Sequence, residues 1–313
     1  MQKFIALFNF VAQNAFMIGI ERECHLTDLG GQIVPWAPKV LPWLWSRFSG
    51  RQQCYGYELS ACQLEDRFAA PVPLSRVKEQ LLLNEAEIKE AEEQLGFRRM
   101  FRGVAPEDMP LDVYPNERYL RLTQTMPREV LAAACRVAGI HIHIGMPDAK
   151  TALRVYNSVI KHLKLLYRAG CTYTGDRLGL YRQVVHSNMP KSERIRLFEQ
   201  HLVTAPEPPP YDSWEQFYER AKREGFDQDP RRLWDFIRIS KHGTIEFRVM
   251  DTTDDLDLIE DWARLCYDLC RTSLCLHDPR YLVCKMDLAG YREYLCATNP
   301  SPHLVWPDGG NGG

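Results

Sequence analysis

Four short stretches of this chain gather carboxylates or imidazoles at the two-residue spacing of a β-strand, a pattern for which a soluble core has no use. They are Gly19-Ile20-Glu21-Arg22-Glu23, the segment from Glu58 to Glu65, His141-Ile142-His143, and Gly243-Thr244-Ile245-Glu246-Phe247-Arg248. Successive side chains of a strand point to opposite faces, so Glu21 shares a face with Glu23, His141 with His143, and Glu246 with Arg248. Like charges side by side repel, and an unpaired buried carboxylate is costly, so an interior keeps such a pair only beside a cation or a basic group. The simplest neutraliser is a hard divalent metal.

With 313 residues, 45% of them hydrophobic, the chain can build one large core or two small ones. A net charge of −2 gives no electrostatic footprint for nucleic acid. No apolar run approaches the roughly 20 residues that span a bilayer. The apolar stretch from Phe4 to Ala12 behind Lys3 is short for a signal segment, and cleavage there would cut into the strand ending in Glu21 and Glu23. A cytoplasmic location is expected, in keeping with ten cysteines that lack a paired CxxC framework. Cys266 and Cys270 fall one helical turn apart beside Trp262 and Leu269, which marks them as buried apolar residues rather than metal ligands.

Ala15 to Leu26 reads as a strand that turns at Asp28-Leu29-Gly30-Gly31 into a hairpin through Ile33 and Val34. Pro35 to Phe48 reads as a covering loop or short helix, and Cys54 to Phe68 as a second strand region. Glu58 and Glu65 lie an odd seven positions apart there, so a bulge or bend is expected if both are to reach one cation. Ser75 to Leu95 is the clearest helix, with Val77, Leu81, Ile88, Ala91 and Leu95 on one side and Gly96 at its end. Its acidic run reads as a solvated face. Phe97 to Pro127 is a long excursion, followed by a helix over Arg128 to Ala138, a strand over Ile140 to Met146 and a helix over Ala149 to Arg168. Asn188 to Ser192 and Pro206 to Pro210 read as loops. Helices are expected over Trp214 to Arg223, Arg231 to Phe236 and Asp255 to Leu276, with a strand over Thr244 to Met250. Residues 1–298 form one catalytic domain in this reading, and residues 299–313 a loose Pro/Gly-rich tail. Without a GxGxxG or Walker motif, helices on an antiparallel sheet fit better than a doubly wound nucleotide fold.

Glu58, Glu65 and Glu246 each sit in apolar or aromatic surroundings, so their burial needs compensation. His141 and His143 share one face of a strand otherwise made of Ile and Gly, as a site wall would. Arg248 shares the face of Glu246 and can grip carboxylate or phosphate with a bidentate fork. Oxygen-rich ligation with one or two imidazoles points to magnesium or manganese rather than zinc. Several glutamates together would hold more than one ion, which is what phosphoryl transfer from ATP requires.

In the same order, Gly19-Ile20-Glu21-x-Glu23, Glu58-Leu59-x-x-x-Gln63-x-Glu65, Gly139-Ile140-His141-Ile142-His143-Ile144-Gly145 and Gly243-Thr244-Ile245-Glu246-Phe247-Arg248-x-x-Asp251 resemble the carboxylate-amine ligase, or type 2 glutamate-cysteine ligase, family. The similarity runs from about Met17 to Leu276. It implies an α+β, glutamine-synthetase-like fold, a curved antiparallel sheet with helices on its convex side and ATP and magnesium ions on its concave face. Carried over by position, Glu21, Glu23, Glu58, Glu65, His141 and Glu246 are the implied ion ligands. Arg248 is the implied partner of the transferring phosphate or the substrate carboxylate. Arg182 is assigned to substrate or phosphate. Departures from the pattern are Arg22 where the family has an acid, Cys24 where it has an aromatic, and the stretch 169–177, which is expected to face the acceptor. The chain is also short at its C-terminus.

The expected activity is an ATP- and magnesium-dependent carboxylate–amine ligase acting on two small molecules through an acyl phosphate, with manganese as a substitute ion and His143 orienting the amine or taking its proton. A γ-glutamyl product fits this scheme, and a homodimer is compatible with it. A nucleotide-binding protein without turnover, and a kinase or hydrolase that stops at the acyl phosphate, are the alternatives.

Overall fold

A computed structural model describes residues 1–124, 126–172, 177, 208–233 and 235–275. Arg182, the Asn188 to Ser192 loop and the tail 299–313 lie outside them.

The longest strand, β1 (Ile18–Asp28), alternates strictly over its first half: Ile18, Ile20, Arg22 and Cys24 face one way, while Gly19, Glu21 and Glu23 face the other. Seven strands form one sheet, joined by β2 (Tyr55–Tyr57), β3 (Gln63–Arg67), β4 (Phe97–Met100), β5 (Gly139–Gly145), β6 (Ile237–Ser240) and β7 (Thr244–Asp251). The spatial order is β2-β3-β1-β5-β7-β6, every pairing is antiparallel, and β4 extends the β5 side of β1. The hairpin beyond β1 closes as expected, with Gly31 N donating to Asp28 O and Val34 N to Leu26 O.

The isoleucine face is covered by helices. Ile18, Ile20, Ile140, Ile142, Ile144, Ile245 and Phe247 pack with Val155 and Tyr156 of α6 (Ala149–Val159), Leu166 of α7 (Leu163–Gly170), and Trp262, Cys266 and Cys270 of α9 (Leu256–Cys275). Each fully buried side chain of this size contributes roughly 1.5–3 kcal/mol. Cys266 and Cys270 are free and buried, as their spacing predicts. Further helices are α1 (Gln2–Ile5), α2 (Ala37–Arg47), α3 (Val77–Leu95), α4 (Glu117–Thr123), α5 (Arg128–Arg136) and α8 (Trp214–Glu224). Gly96 stops α3 in the left-handed conformation, φ 72°, where its N–H reaches Glu92 O. Among the described residues no helix is long and apolar enough to cross a membrane.

Several local expectations are corrected. Cys54 to Phe68 is not one strand but an antiparallel pair, β2 against β3, and the connection between them, which holds Glu58, is the bend that the odd spacing from Glu65 calls for. Arg231 to Phe236 is not a helix: Asp229 caps a single 3₁₀ turn (Pro230–Arg232), and the chain then enters β6. The excursion after Gly96 carries β4 and α4. The helix over Ala149 to Arg168 is interrupted by a 3₁₀ turn at Ile160–His162. The acidic side of α3 is not simply solvated. Glu85 accepts from Arg22 at 2.9 Å and Arg99 at 2.5 Å, Glu92 from Arg99 at 3.0 Å, and Glu87 from Arg51 at 2.8 Å.

Candidate active site

The face of the sheet opposite the isoleucines collects the four motifs in three successive rungs. Glu23 stands opposite Glu65; Glu21 stands between Arg67 and His141; His143 stands between Gly19 and Glu246, and Glu246 faces Arg238 of β6. Directly opposed residues of antiparallel strands share a face, so register alone brings these groups together. All six expected ion ligands and both His143 and Arg248 lie on β1, β3, β5, β7 or the β2–β3 connection.

At one end Glu23, Glu58 and Glu65 each offer an oxygen, and the three oxygens lie within 4.8 Å of one another. Gly56 leaves room for this: a Cβ there would come within 3.1 Å of Glu65 Oε1. Burial and the neighbouring Glu23 push the Glu58 carboxyl up to about 8, and burial with Glu21 and Glu58 pushes Glu65 up as well. Arg67 Nη1 sits 3.0 Å from Glu65 Oε1 and Gly139 N donates to Glu23 Oε2 at 2.8 Å, yet two carboxyls stay raised. Three clustered carboxylates, with Glu58 and Glu65 held back from ionising by burial and by their acidic neighbours, are a donor set that fits a hard divalent cation.

The other end is differently balanced. Glu21 Oε2 lies 3.1 Å from His141 Nδ1, and Glu21 Oε1 lies 3.6 Å from His143 Nε2. Burial raises the Glu21 carboxyl, but His143 and His141 outweigh it and hold the group well below the usual carboxylate range. His141 Nε2 stands 3.7 Å from Glu23 and so links the two ends. Glu246 is gripped from two sides: Arg238 donates to both its oxygens at 2.7 and 2.9 Å, and Arg248 Nη1 donates to Oε1 at 2.5 Å. These charges, with His143, overcome burial and keep Glu246 ionised. His143 Nδ1 bonds Thr244 Oγ1 at 2.9 Å, whereas its buried Nε2 has no hydrogen-bond partner among the described residues. Burial lowers this imidazole, but Glu246 and Glu21 more than compensate and raise it.

A cavity of about 420 Å³ adjoins Glu21 and His143, walled by Phe68 to Pro71 on one side and by Asn9, Val11 and Asn14 on the other. A hollow of about 460 Å³ lies beside Gly56 and Trp45, and Arg67 and Gln53 line both spaces. The motif residue Asp251 anchors part of the divergent stretch: it accepts from Thr172 N at 3.0 Å and Arg177 Nε at 3.1 Å, while Arg177 Nη2 reaches the carbonyl of Arg248.

Sequence reasoning missed Arg238, Arg67 and Gly56. Arg238 alternates with Ile237 and Ile239, a strand signal hidden by the helical reading just before it. Arg67 shares the parity of Glu65.

Residues 17–170 match the model of a family described as glutamate-cysteine ligase family 2. Curated relatives named "Putative glutamate--cysteine ligase 2" include one from Clavibacter michiganensis and one from Herpetosiphon aurantiacus. The one from Clavibacter michiganensis is 27% identical over 275 residues, 82% of this chain and 66% of the relative. The one from Herpetosiphon aurantiacus is 27% identical over 152 residues, 47% of this chain and 36% of the relative. The chain thus spans about one third to two thirds of the length of these relatives. A solved bifunctional glutathione synthetase from Pasteurella multocida superposes with a TM-score of 0.54 at 14% identity, covering 95% of this chain and 46% of that one. At that identity the likeness is one of fold, and the fold is the α+β antiparallel sheet expected.

Proposed function

The chain belongs to glutamate-cysteine ligase family 2 through residues 17–170, and on that premise we propose that it is an ATP-dependent ligase joining a small carboxylic acid to an amine. The observation that carries this reading is the convergence of Glu23, Glu58 and Glu65 within 4.8 Å, on the same sheet face as the Arg238–Glu246–Arg248 network.

Glu23, Glu58 and Glu65 would hold one magnesium or manganese ion, and Glu21, His141 and Glu246 are the residues for a second. Such ions neutralise the triphosphate and gather the reacting oxygens. Arg248, fixed by Glu246, presents its guanidinium to the transferring phosphate. The cavity beside Glu21 and His143 has the volume of a nucleoside site and takes that part of ATP. A carboxylate oxygen of the acid attacks the γ-phosphorus and ADP leaves. The amine nitrogen then attacks the acyl carbon, the C–O bond to phosphate breaks, and the departing phosphate takes the amine proton. His143, held toward its charged form by Glu246 and Glu21, suits phosphate binding better than proton abstraction. Arg182, outside the described residues, keeps its proposed role toward substrate or phosphate.

The test is ADP release from MgATP over a panel of amino acids and small amines, with mass spectrometry of the products. Release that requires both an acid and an amine, with a product weighing their sum less water, is the expected result. Phosphate release without an amine would instead mark a kinase or hydrolase stopping at the acyl phosphate. Nucleotide binding without ADP formation over the whole panel would mark a protein without turnover.

A further inference from the structure

We propose that residues 9–17 form a specificity-determining strap whose Asn9 and Asn14 carboxamides read the polar edge of the nucleobase in the cavity beside Glu21 and His143. This inference rests on the ligase reading and deepens it. Residues 9–16 of the strap precede the family-matched segment, which begins at residue 17, so Asn9 and Asn14 come from outside the matched residues.

The strap is pinned across the ends of β5 and β7. Asn9 N donates to Lys241 O at 2.8 Å, Phe16 N to Gly145 O at 2.8 Å, and Gly145 N to Met17 O at 2.9 Å. Phe8, just before it, packs edge-on against Trp214, with ring centroids 5.2 Å apart. Two glycines make the approach possible. A Cβ on Gly145 would lie 1.9 Å from Asn14 O, and one on Gly243, whose φ is 71°, would lie 2.2 Å from Asn9 O. Phe16 holds the left-handed backbone, φ 61°, a conformation that costs a non-glycine residue about 1 kcal/mol or more and persists where surroundings enforce it. Backbone bonds, two close approaches and one strained residue describe a built wall.

Asn9 and Asn14 both line the cavity, and neither carboxamide makes a hydrogen bond to a described residue. A carboxamide offers a donor and an acceptor side by side, which matches N7 and the N6 amino group of adenine and mismatches the two acceptors, N7 and O6, on the same edge of guanine.

Isothermal titration of the wild type and the double variant N9A/N14A with MgADP and MgGDP tests the proposal, with Mn²⁺ titration and thermal unfolding as controls. The wild type is expected to prefer MgADP. In the variant MgADP affinity should fall about tenfold, the change that loss of one or two hydrogen bonds produces, and the adenine preference should shrink. Mn²⁺ binding and the unfolding temperature should stay as they are. Unchanged MgADP affinity and preference would overturn the strap assignment and leave the ligase reading standing. A wild type that binds neither nucleotide would overturn both.

Discussion

Replacing Glu65 with Gln will lower acid- and amine-dependent ADP formation by roughly a hundredfold or more, the scale on which removal of one preorganised charge-stabilising group acts. The side chain is 6% exposed and the substitution keeps its volume, so the fold persists while the trio loses one of its three carboxyl groups. The same variant should bind Mn²⁺ much more weakly. The pH dependence separates this from a general loss of structure. With Glu58 raised to about 8 and Glu65 raised as well, the folded protein without a cation holds protons that the unfolded chain has released. Its stability therefore falls as pH rises from about 5 toward 8. A bound cation competes with those protons, so Mn²⁺ should bind more tightly, and raise the unfolding temperature further, at pH 8 than at pH 6. In the Glu65→Gln variant that increment should shrink. Wild-type turnover in the variant, with an undiminished Mn²⁺ shift, would contradict the assignment.

Replacing Arg22 with Met should cost about 3–5 kcal/mol of folding stability, the range for breaking a buried ion pair from one side. Arg22 is fully buried on the helix-covered face, where Nε meets Asp66 Oδ2 at 2.9 Å, Nη2 meets Glu85 Oε2 at 2.9 Å, and the guanidinium lies 5.0 Å from the centre of the Phe101 ring. Without it, Asp66, only 2% exposed, keeps Asn84 as a side-chain donor but has no ion pair with any described residue. Glu85 retains Arg99, so the loss concentrates at Asp66. Urea unfolding of the two proteins measures the difference. A loss below about 1 kcal/mol would show that the pair contributes no more than a surface bridge.

The contrast between Arg22 and its neighbours Glu21 and Glu23 explains how much of this molecule was legible in its sequence. Period-two alternation put the two glutamates on one face, and it did the same for His141 and His143, because side-chain parity is a local property of a strand. Register is not local. Nothing near Glu23 announces that Glu65 stands opposite it, or that Glu246 faces Arg238 across a turn. Family resemblance supplied the grouping that parity could not. The odd spacing of Glu58 and Glu65 called for a bulge or a bend, and the bend is the β2–β3 connection, whose place parity alone does not give. The acids of α3 seemed solvated because their partners, Arg22, Arg51 and Arg99, are remote or lie beyond the helix end. Glu246 shares its face with Arg248, as parity indicates, but its second arginine, Arg238, stands on a neighbouring strand that the local pattern does not announce.

Crystals soaked in Mn²⁺ and measured at the manganese absorption edge would test the central claim most directly. The account predicts an anomalous peak bounded by the carboxylates of Glu23, Glu58 and Glu65. Saturating Mn²⁺ with no peak among those three side chains, or with peaks at other places alone, would contradict it.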